Sequence, residues 1–223
     1  MTKKLLCGLA LLCASCIDSS LSPVTLELRA EARGEARFEA RDGWQVELTT
    51  ATLLFGPLYL CPAPQAGDLC DIARAEFLEA ATIDALATGA QPLGQLAGVS
   101  GVVRSAMWEY GRPWPIAATE AQPLVPGESS LHIVGVARRG IEEEPFDLRI
   151  EIEPSRAGVV SVRAAELFNT ALVDGQSVVV ETDVEAWLQG VDWSLFSEDE
   201  EQARQALISA LVLSARPTLR IEP

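Results

Sequence analysis

Side chains that commonly carry catalysis are scarce in this sequence. Histidine, a frequent general base and metal ligand, occurs once, as His132 in the apolar run Leu131–Val134. The sequence contains no GxSxG turn, no HExxH pair and no phosphate-binding GxxxxGKS/T loop, which are signatures of serine hydrolases, zinc hydrolases and nucleotide-binding proteins. These absences favour a non-enzyme and predict no bound cofactor, although they leave enzymatic activity open.

Carboxylates are the one abundant reactive group, with 32 aspartates and glutamates in the chain. Two carboxyl groups held about 5–10 Å apart can hydrolyse a glycosidic bond when one of them stays protonated. A carboxylate-based hydrolase is therefore one alternative function, although nothing in the sequence singles out such a pair. The acidic runs Glu142–Glu144 and Glu198–Glu201 are typical of solvated loops and helix starts.

A second alternative is an exported protein that binds copper or calcium. The segment from residue 181 to 201 holds eight acidic side chains and no basic one, and calcium is bound by six to eight oxygen atoms. Copper would need imidazole or sulfur ligands, of which the chain offers few. The candidate metal ligands are His132, Met107, Asp183, Glu185 and Asp192.

Three aromatic residues lie close together around a pair of prolines. Trp114 stands between Pro113 and Pro115, and with Trp108 and Tyr110 it could form a platform for a sugar ring or a protein partner. The alternative is that these side chains fill the core or cover the ends of a sheet.

The first sixteen residues follow the pattern of an export signal. Lys3 and Lys4 give a positive start, Leu5–Leu12 is an apolar run too short to span a bilayer, and Cys13–Cys16 is a run of small residues that ends in cysteine. This pattern resembles the lipobox of bacterial lipoproteins. The alternative is an ordinary cleaved signal peptide.

The resemblance implies that residues 1–15 are removed and that Cys16 becomes the lipidated first residue. Residues 16–23 would then be a short lipidated tether, and residues 24–223 a single β-rich domain. Because Ile17 rather than aspartate follows the cysteine, the resemblance also implies sorting to the outer membrane. The expected location is the bacterial cell envelope, with the membrane contacted through the lipid anchor.

The charge balance excludes some partners. Both lysines lie in the signal, so the remaining chain has 15 arginines against 32 acidic residues, a net charge near −17. Nucleic acids are bound through basic patches that release counterions, so we expect no nucleic-acid partner. Attachment to a membrane would have to rest on the lipid rather than on charge.

Two cysteines remain after the signal and the lipidated position are set aside. Cys61 and Cys70 enclose eight residues that include two prolines and a glycine, which favour a turn. In an oxidising compartment this spacing predicts a disulfide. A metal pair is the alternative, but the sequence lacks CxxC spacing and nearby histidines.

A run of alternating charge dominates the start of the domain. Every odd position from Glu27 to Arg41 is charged, with alternating sign, and the even positions are small or apolar. A helix would place like charges four residues apart, whereas a strand puts the charges on one face. A turn at Gly34 would pair Glu31 with Arg37 and would match every charge with its opposite. The pattern therefore predicts a hairpin over residues 26–41, with one long strand as the alternative.

The rest of the chain reads as short strands separated by turns. Leu131–Ala137 and Phe146–Ile152 predict a hairpin across Arg138–Gly140, and Val178–Glu181 and Leu219–Ile221 predict further strands. Helices are expected only at Val184–Leu188 and from Ser197, where Ser197 and Glu200 fit a capping box. Further strands are expected at four stretches: Trp44–Leu48, Leu53–Leu60, Val102–Tyr110 and Val159–Arg163.

These elements predict a mainly β fold, an antiparallel β-sandwich that is immunoglobulin-like or barrel-like, with one or two short helices near the C-terminus. The function that fits best is that of an envelope-anchored bacterial lipoprotein. It would be a non-enzymatic binding or structural module for a protein or glycan partner.

Overall fold

A computed structural model describes residues 21–63, 73–112, 125, 127–152 and 169–223. Strands dominate these residues, so the prediction of a mainly β fold is confirmed. The strands are β1 (Pro23–Arg33), β2 (Arg37–Glu39), β3 (Gln45–Phe55), β4 (Leu58–Cys61), β5 (Ala75–Phe77), β6 (Ala81–Asp84), β7 (Ala90–Val99), β8 (Gly101–Val103), β9 (Ser105–Trp108), β10 (Leu131–Arg139), β11 (Glu142–Ile150), β12 (Thr170–Leu172), β13 (Ser177–Asp183) and β14 (Thr218–Glu222).

The larger sheet has seven strands in the order β14-β13-β1-β7-β5-β4-β9. β1 lies near its middle, pairing with β7 on one side and with β13 on the other. The β1–β13 pair is parallel, so this sheet departs from the purely antiparallel pairing that the sequence predicts. The two strands are far apart along the chain, which a parallel pair requires because it cannot be joined by a tight turn.

The second sheet has the order β11-β10-β3-β2, and β6 pairs with the C-terminal end of β3, from Thr52 to Phe55. β8 and β12 form a separate two-stranded sheet. Alternate side chains of the strands point inward, as their period of two requires. Buried residues of both large sheets join in one hydrophobic cluster.

Large aromatic side chains fill the interior between the elements. Trp44, Trp108, Trp187 and Trp193 are each at most 2% exposed. The ring of Trp193 lies 4.8 Å from that of Phe146 in β11, which fastens the segment after β13 to the smaller sheet. Aromatic pairs at such distances add about 0.5–1.5 kcal/mol to the burial of their area.

The C-terminal part of the chain is helical, as predicted. α1 spans Val184–Leu188 and α2 spans Glu200–Ser209. The predicted capping box at Ser197 is wrong, because Asp199 caps α2 by accepting a hydrogen bond of 3.1 Å from the Gln202 N–H. Within the described ranges, no helix has the length and apolar composition needed to span a bilayer.

The predicted hairpin at Gly34 is wrong, although the face assignment is right. Leu28 and Phe38 are buried, and Arg37 is exposed. However, β1 belongs to the larger sheet, whereas β2 pairs with β3 in the smaller one, where Arg37 lies opposite Glu47. The chain turns at Gly34, whose φ is +98°, and crosses from one sheet to the other.

Several of the other predicted strands are confirmed within the described residues. β10 and β11 form the predicted hairpin, but its turn is shorter than expected and involves Gly140 and Ile141. β13 and β14 appear at the predicted places, and the predicted strand Leu53–Leu60 is broken at Gly56 and Pro57. The predicted strand Val159–Arg163 lies outside the described residues.

Candidate functional site

The structure does not bring the predicted metal ligands together. His132 lies on β10 in the smaller sheet, where its Nε2 is 2.9 Å from Oδ1 of Asp147. Met107 lies on β9 in the larger sheet and is 7% exposed. A copper site built on this imidazole and this thioether would need both in one place, and the fold separates them.

The three predicted carboxylate ligands have local structural partners instead. Asp183 caps α1 by accepting a hydrogen bond of 3.1 Å from Ala186 N–H. Asp192 accepts hydrogen bonds from the backbone and hydroxyl of Ser194, which hold the pKa of that carboxyl below its ordinary value. Glu185 lies on α1, 3.5 Å from the amide of Gln189.

Histidine, cysteine and acidic side chains do not gather into a group that could hold a metal ion anywhere in the described ranges. The metal-binding alternative therefore has no assembled ligand set among these residues.

The predicted aromatic platform is wrong for two of its three members. Trp108 and Tyr110 are 0% and 1% exposed, and the Tyr110 hydroxyl donates a hydrogen bond of 2.7 Å to the backbone carbonyl of Leu211. These side chains fill the core, which was the alternative interpretation. Trp114 lies outside the described residues.

The cysteine predictions stay predictions. Cys61 ends β4 and is fully buried. Cys70 and the lipobox cysteine, Cys16, lie outside the described residues.

The alternating charges of β1 instead form a network with two strands from the C-terminal third of the chain. We call this network the charged face, and its members are Arg29, Glu31, Arg33, Glu181, Arg220 and Glu222.

Each ion pair of the charged face joins residues that are remote in sequence or lie along one strand. Arg29 pairs with Glu222, and Arg220 pairs with Glu31 at 2.6 Å. Hydrogen bonds with Glu31 and then Glu222 raise the pKa of Arg220 above its ordinary value. In return, Arg220 lowers the pKa of the Glu222 carboxyl, and Arg29 adds to that effect.

The arginine side chains of this face also cover apolar surface. Val179 of β13 lies between Arg29 of β1 and Arg220 of β14, and it is 0% exposed although it lies on this face. Arginine stems pack on apolar groups while their charged ends reach the solvent. The charged face is therefore ordered and partly dehydrated, since its four central side chains are only about one third exposed.

A groove opens beside this face where the pairing of β1 and β7 slips. Leu28 pairs with Gly94, and Arg29 pairs with Pro92, so Leu93 is an extra residue in a β-bulge. Pro92 has no N–H to donate to the ladder. The cavity has a volume of about 360 Å³, and its lining residues are Glu27, Leu28, Arg29, Ala90, Pro92, Gly94 and Gln95.

The core beneath the groove leaves no room for a side chain at Gly94. Its φ is +146°, and a Cβ there would lie 2.9 Å from Cε2 of Phe77. The buried ring of Phe77 thus packs directly against this position. Bulges of this kind often re-aim side chains beside binding sites, and here the bulge places Glu27, Arg29 and Gln95 around one opening.

Arg29 brings unused hydrogen-bonding capacity to the groove. One end of its guanidinium pairs with Glu222, but its Nε–H is buried and meets no acceptor among the described residues. A buried donor without a partner costs about 1–3 kcal/mol. The groove is therefore lined by the partly satisfied guanidinium of Arg29 together with the Glu27 carboxylate and the Gln95 amide.

A buried carboxyl group, that of Glu109, lies next to β9, an edge strand of the seven-stranded sheet. Glu109 follows β9, and its Oε2 is buried without a hydrogen-bond partner among the described residues. Burial raises the pKa of this carboxyl to about 7. Burial also raises the pKa of Tyr59, and the charges of Glu109 and Glu76 add to that rise. A glycoside hydrolase needs a second carboxylate across a cleft from such an acid, whereas the groove lies at the β1–β7 bulge.

Neither the groove nor Glu109 was identified from the sequence. The available signal for the groove was the pair Pro92 and Gly94 within a strand, since both residues are typical of bulges. Nothing in the sequence marks Glu109 among 32 acidic residues, because its shifted pKa comes from burial alone.

No family model matches this chain, and no curated protein sequence matches it. Among solved structures, the chain is similar to MbnP from Methylosinus trichosporium, with 11% sequence identity and a TM-score of 0.36 over 75% of this chain and 77% of that chain. At so low an identity and so loose a superposition, site residues are assigned from the geometry of this chain alone.

Proposed function

We propose that this protein is a lipoprotein of the bacterial cell envelope that binds a segment of a partner protein in the groove beside β1. The lipid would be carried by Cys16, and the outer membrane is the proposed location. Support for the anchor comes from the lipobox-like start of the sequence. One acyl chain binds a membrane only weakly, so firm attachment needs the several chains that the lipoprotein resemblance implies.

A single observation carries the binding role: an opening of about 360 Å³ at the β1–β7 bulge is lined by the polar side chains of Glu27, Arg29 and Gln95. Ligand pockets usually have volumes of about 300–1,000 Å³ and a few polar groups that fix orientation. Here the polar groups belong to the side chains of Arg29, Glu27 and Gln95.

A peptide segment fits this lining better than a sugar. Glu27 and Arg29 have opposite charges and lie on one face of β1, about 7 Å apart along the strand. Glu27 could therefore receive a basic group of an extended segment, while the neighbouring Arg29 keeps its ion pair with Glu222. A sugar ring is usually held against an aromatic side chain, and none lines the groove.

Site-directed photo-crosslinking in cells tests the binding role. A benzophenone amino acid would replace Gln95 in the groove, and a matched control would replace the exposed Arg149 on the other sheet. We expect a discrete protein adduct from position 95 and none from position 149. Adding Glu27→Arg should abolish the adduct, because it reverses a groove charge without breaking the charged face. Glu39→Arg, an exposed reversal on β2, should leave it unchanged.

Adducts that form equally from both positions, or that survive Glu27→Arg, would contradict the groove assignment. If no protein adduct forms and the purified protein binds cell-wall glycan instead, the partner is a glycan. The anchor is tested separately, by mass spectrometry of the native N-terminus. Cys16→Ser should release the protein from the membrane fraction.

A further inference from the structure

One end of the domain carries exposed apolar side chains. Leu21, Val102 and Val173 are 47%, 41% and 58% exposed. Single exposed aliphatic residues are ordinary on protein surfaces, but a group of them marks an interaction surface. These three belong to segments that are distant in sequence and meet at the start of β1.

Hydrogen bonds hold these segments together. Ser22 and Ser100 are joined by two hydrogen bonds, of 2.8 and 3.0 Å. Val102 follows in β8, which pairs with β12, and Val173 comes directly after β12. The turn after Val173 then returns to β1 through a backbone hydrogen bond of 3.0 Å. We call the surface formed by residues 21–25, 99–104 and 171–176 the tether end.

The tether end is poor in charge, unlike the rest of this acidic chain. Its own residues include one arginine and one aspartate, Arg104 and Asp174, and the Arg74 side chain lies against Gly101. The Asp174 carboxylate already accepts a hydrogen bond of 2.8 Å from Thr25 N–H. β1 has 11 residues, so its other end lies about 35 Å away. Around that far end lie both acidic and basic residues: Glu35, Glu39, Asp42, Glu142, Glu143 and Asp192 with Arg33, Arg37, Arg41, Arg138 and Arg139.

We propose that the tether end rests on the surface of a phospholipid bilayer, an inference that depends on the proposed lipid at Cys16. Five residue steps separate Cys16 from Leu21, so the described domain begins at most about 18 Å from the lipid. An anionic lipid surface repels carboxylates and accepts apolar side chains at its interface. The tether end therefore faces the membrane, and the charged far end of β1 faces away from it.

Spin labels on the lipidated full-length protein test this orientation. A ketone-bearing amino acid would be placed at position 102 or 173 and coupled to a nitroxide, so that the native cysteines take no part. The control label would replace Ile141, which is fully exposed in the turn between β10 and β11. The protein would be bound to vesicles of phosphatidylethanolamine and phosphatidylglycerol, and the accessibility of each label to oxygen and to a nickel chelate would be measured.

On vesicles, the ratio of oxygen to nickel accessibility should rise at positions 102 and 173 relative to the same labelled protein without lipid. It should not change at position 141. Equal ratios at all three positions on protein that floats with the vesicles would overturn the orientation and leave the lipid anchor intact. Protein that fails to float would instead refute the anchor and the inference with it. Labels at 102 and 173 that become immobile without gaining oxygen accessibility would indicate a protein partner and would also overturn the proposal.

Discussion

Replacing Glu109 by glutamine should make the stability of the protein less dependent on pH. Burial raises the pKa of this carboxyl from its ordinary 4.5 to about 7, so the folded protein holds the proton more tightly than the unfolded chain. Between these two pH values the unfolded chain has released a proton that the folded protein retains. The free energy of unfolding therefore falls as the pH rises through this window.

The size of the effect follows from the shift. A difference of about 2.5 pKa units corresponds to about 3 kcal/mol, at about 1.4 kcal/mol per unit. The contribution of Glu109 is most favourable below pH 4.5, where both states are protonated, and its full cost is reached above pH 7. Glutamine has a similar shape and no charge to release. The stability of the variant relative to the natural protein should thus rise by about 2.5 kcal/mol between pH 5 and pH 8.

Urea unfolding followed by tryptophan fluorescence at pH 5, 6, 7 and 8 measures this difference. Burying the amide adds an offset that is the same at every pH, so the slope of the difference with pH is the informative quantity. Glu76→Gln, at an exposed position on β5 of the same sheet, is the matched control and should give a constant difference. A constant difference for Glu109→Gln as well would refute the claim that Glu109 is protonated in the folded protein near neutral pH.

Three further stability changes can be measured by the same urea method. Gly94→Ala should lower the free energy of unfolding by about 1–3 kcal/mol, because its Cβ would lie 2.9 Å from the Phe77 ring. The control Gly190→Ala, at an open position, should change it by less than about 0.5 kcal/mol. Equal effects of the two substitutions would contradict the packing of Phe77 against Gly94. Tyr110→Phe should lower the free energy of unfolding by about 1–2 kcal/mol, because it removes the buried hydrogen bond of 2.7 Å to the Leu211 carbonyl. An unchanged free energy of unfolding would show that this hydrogen bond does not stabilise the fold. Cys61→Ser should cost about 2–3 kcal/mol in oxidised protein and much less under reducing conditions, whereas an equal cost in both would contradict the predicted disulfide.

The sequence pattern was enough to assign faces and element types. Alternation of charged and apolar residues placed Leu28 and Phe38 in the core and Arg37 on the surface, because a strand can bury only every second side chain. The C-terminal helices and the strands β13 and β14 also carried clear local signals. Such signals are local, so they survive whichever way the strands are later arranged.

The groove depends on long-range packing, which the sequence does not show. The bulge that opens it requires β1 to lie beside β7, and the raised pKa of Glu109 requires neighbours that remove water from its carboxyl. The aromatic platform failed for the same reason. The nearby prolines indicate a loop and therefore exposed rings, but the packing of the core buries both Trp108 and Tyr110.

The hairpin predicted at Gly34 failed for a reason that concerns the charges themselves. Opposite charges on neighbouring strands favour one register over another only after those strands have become neighbours. In the structure Glu31 lies opposite a like charge, Glu181 of β13, and Arg220 of β14 pairs with both carboxylates, from positions about 150–190 residues away in the sequence. Burial of the apolar faces decides which strands become neighbours, since each surface ion pair contributes only about 0–1 kcal/mol. Arg220 then offsets the repulsion between the two carboxylates, Glu31 and Glu181, that burial has placed opposite each other.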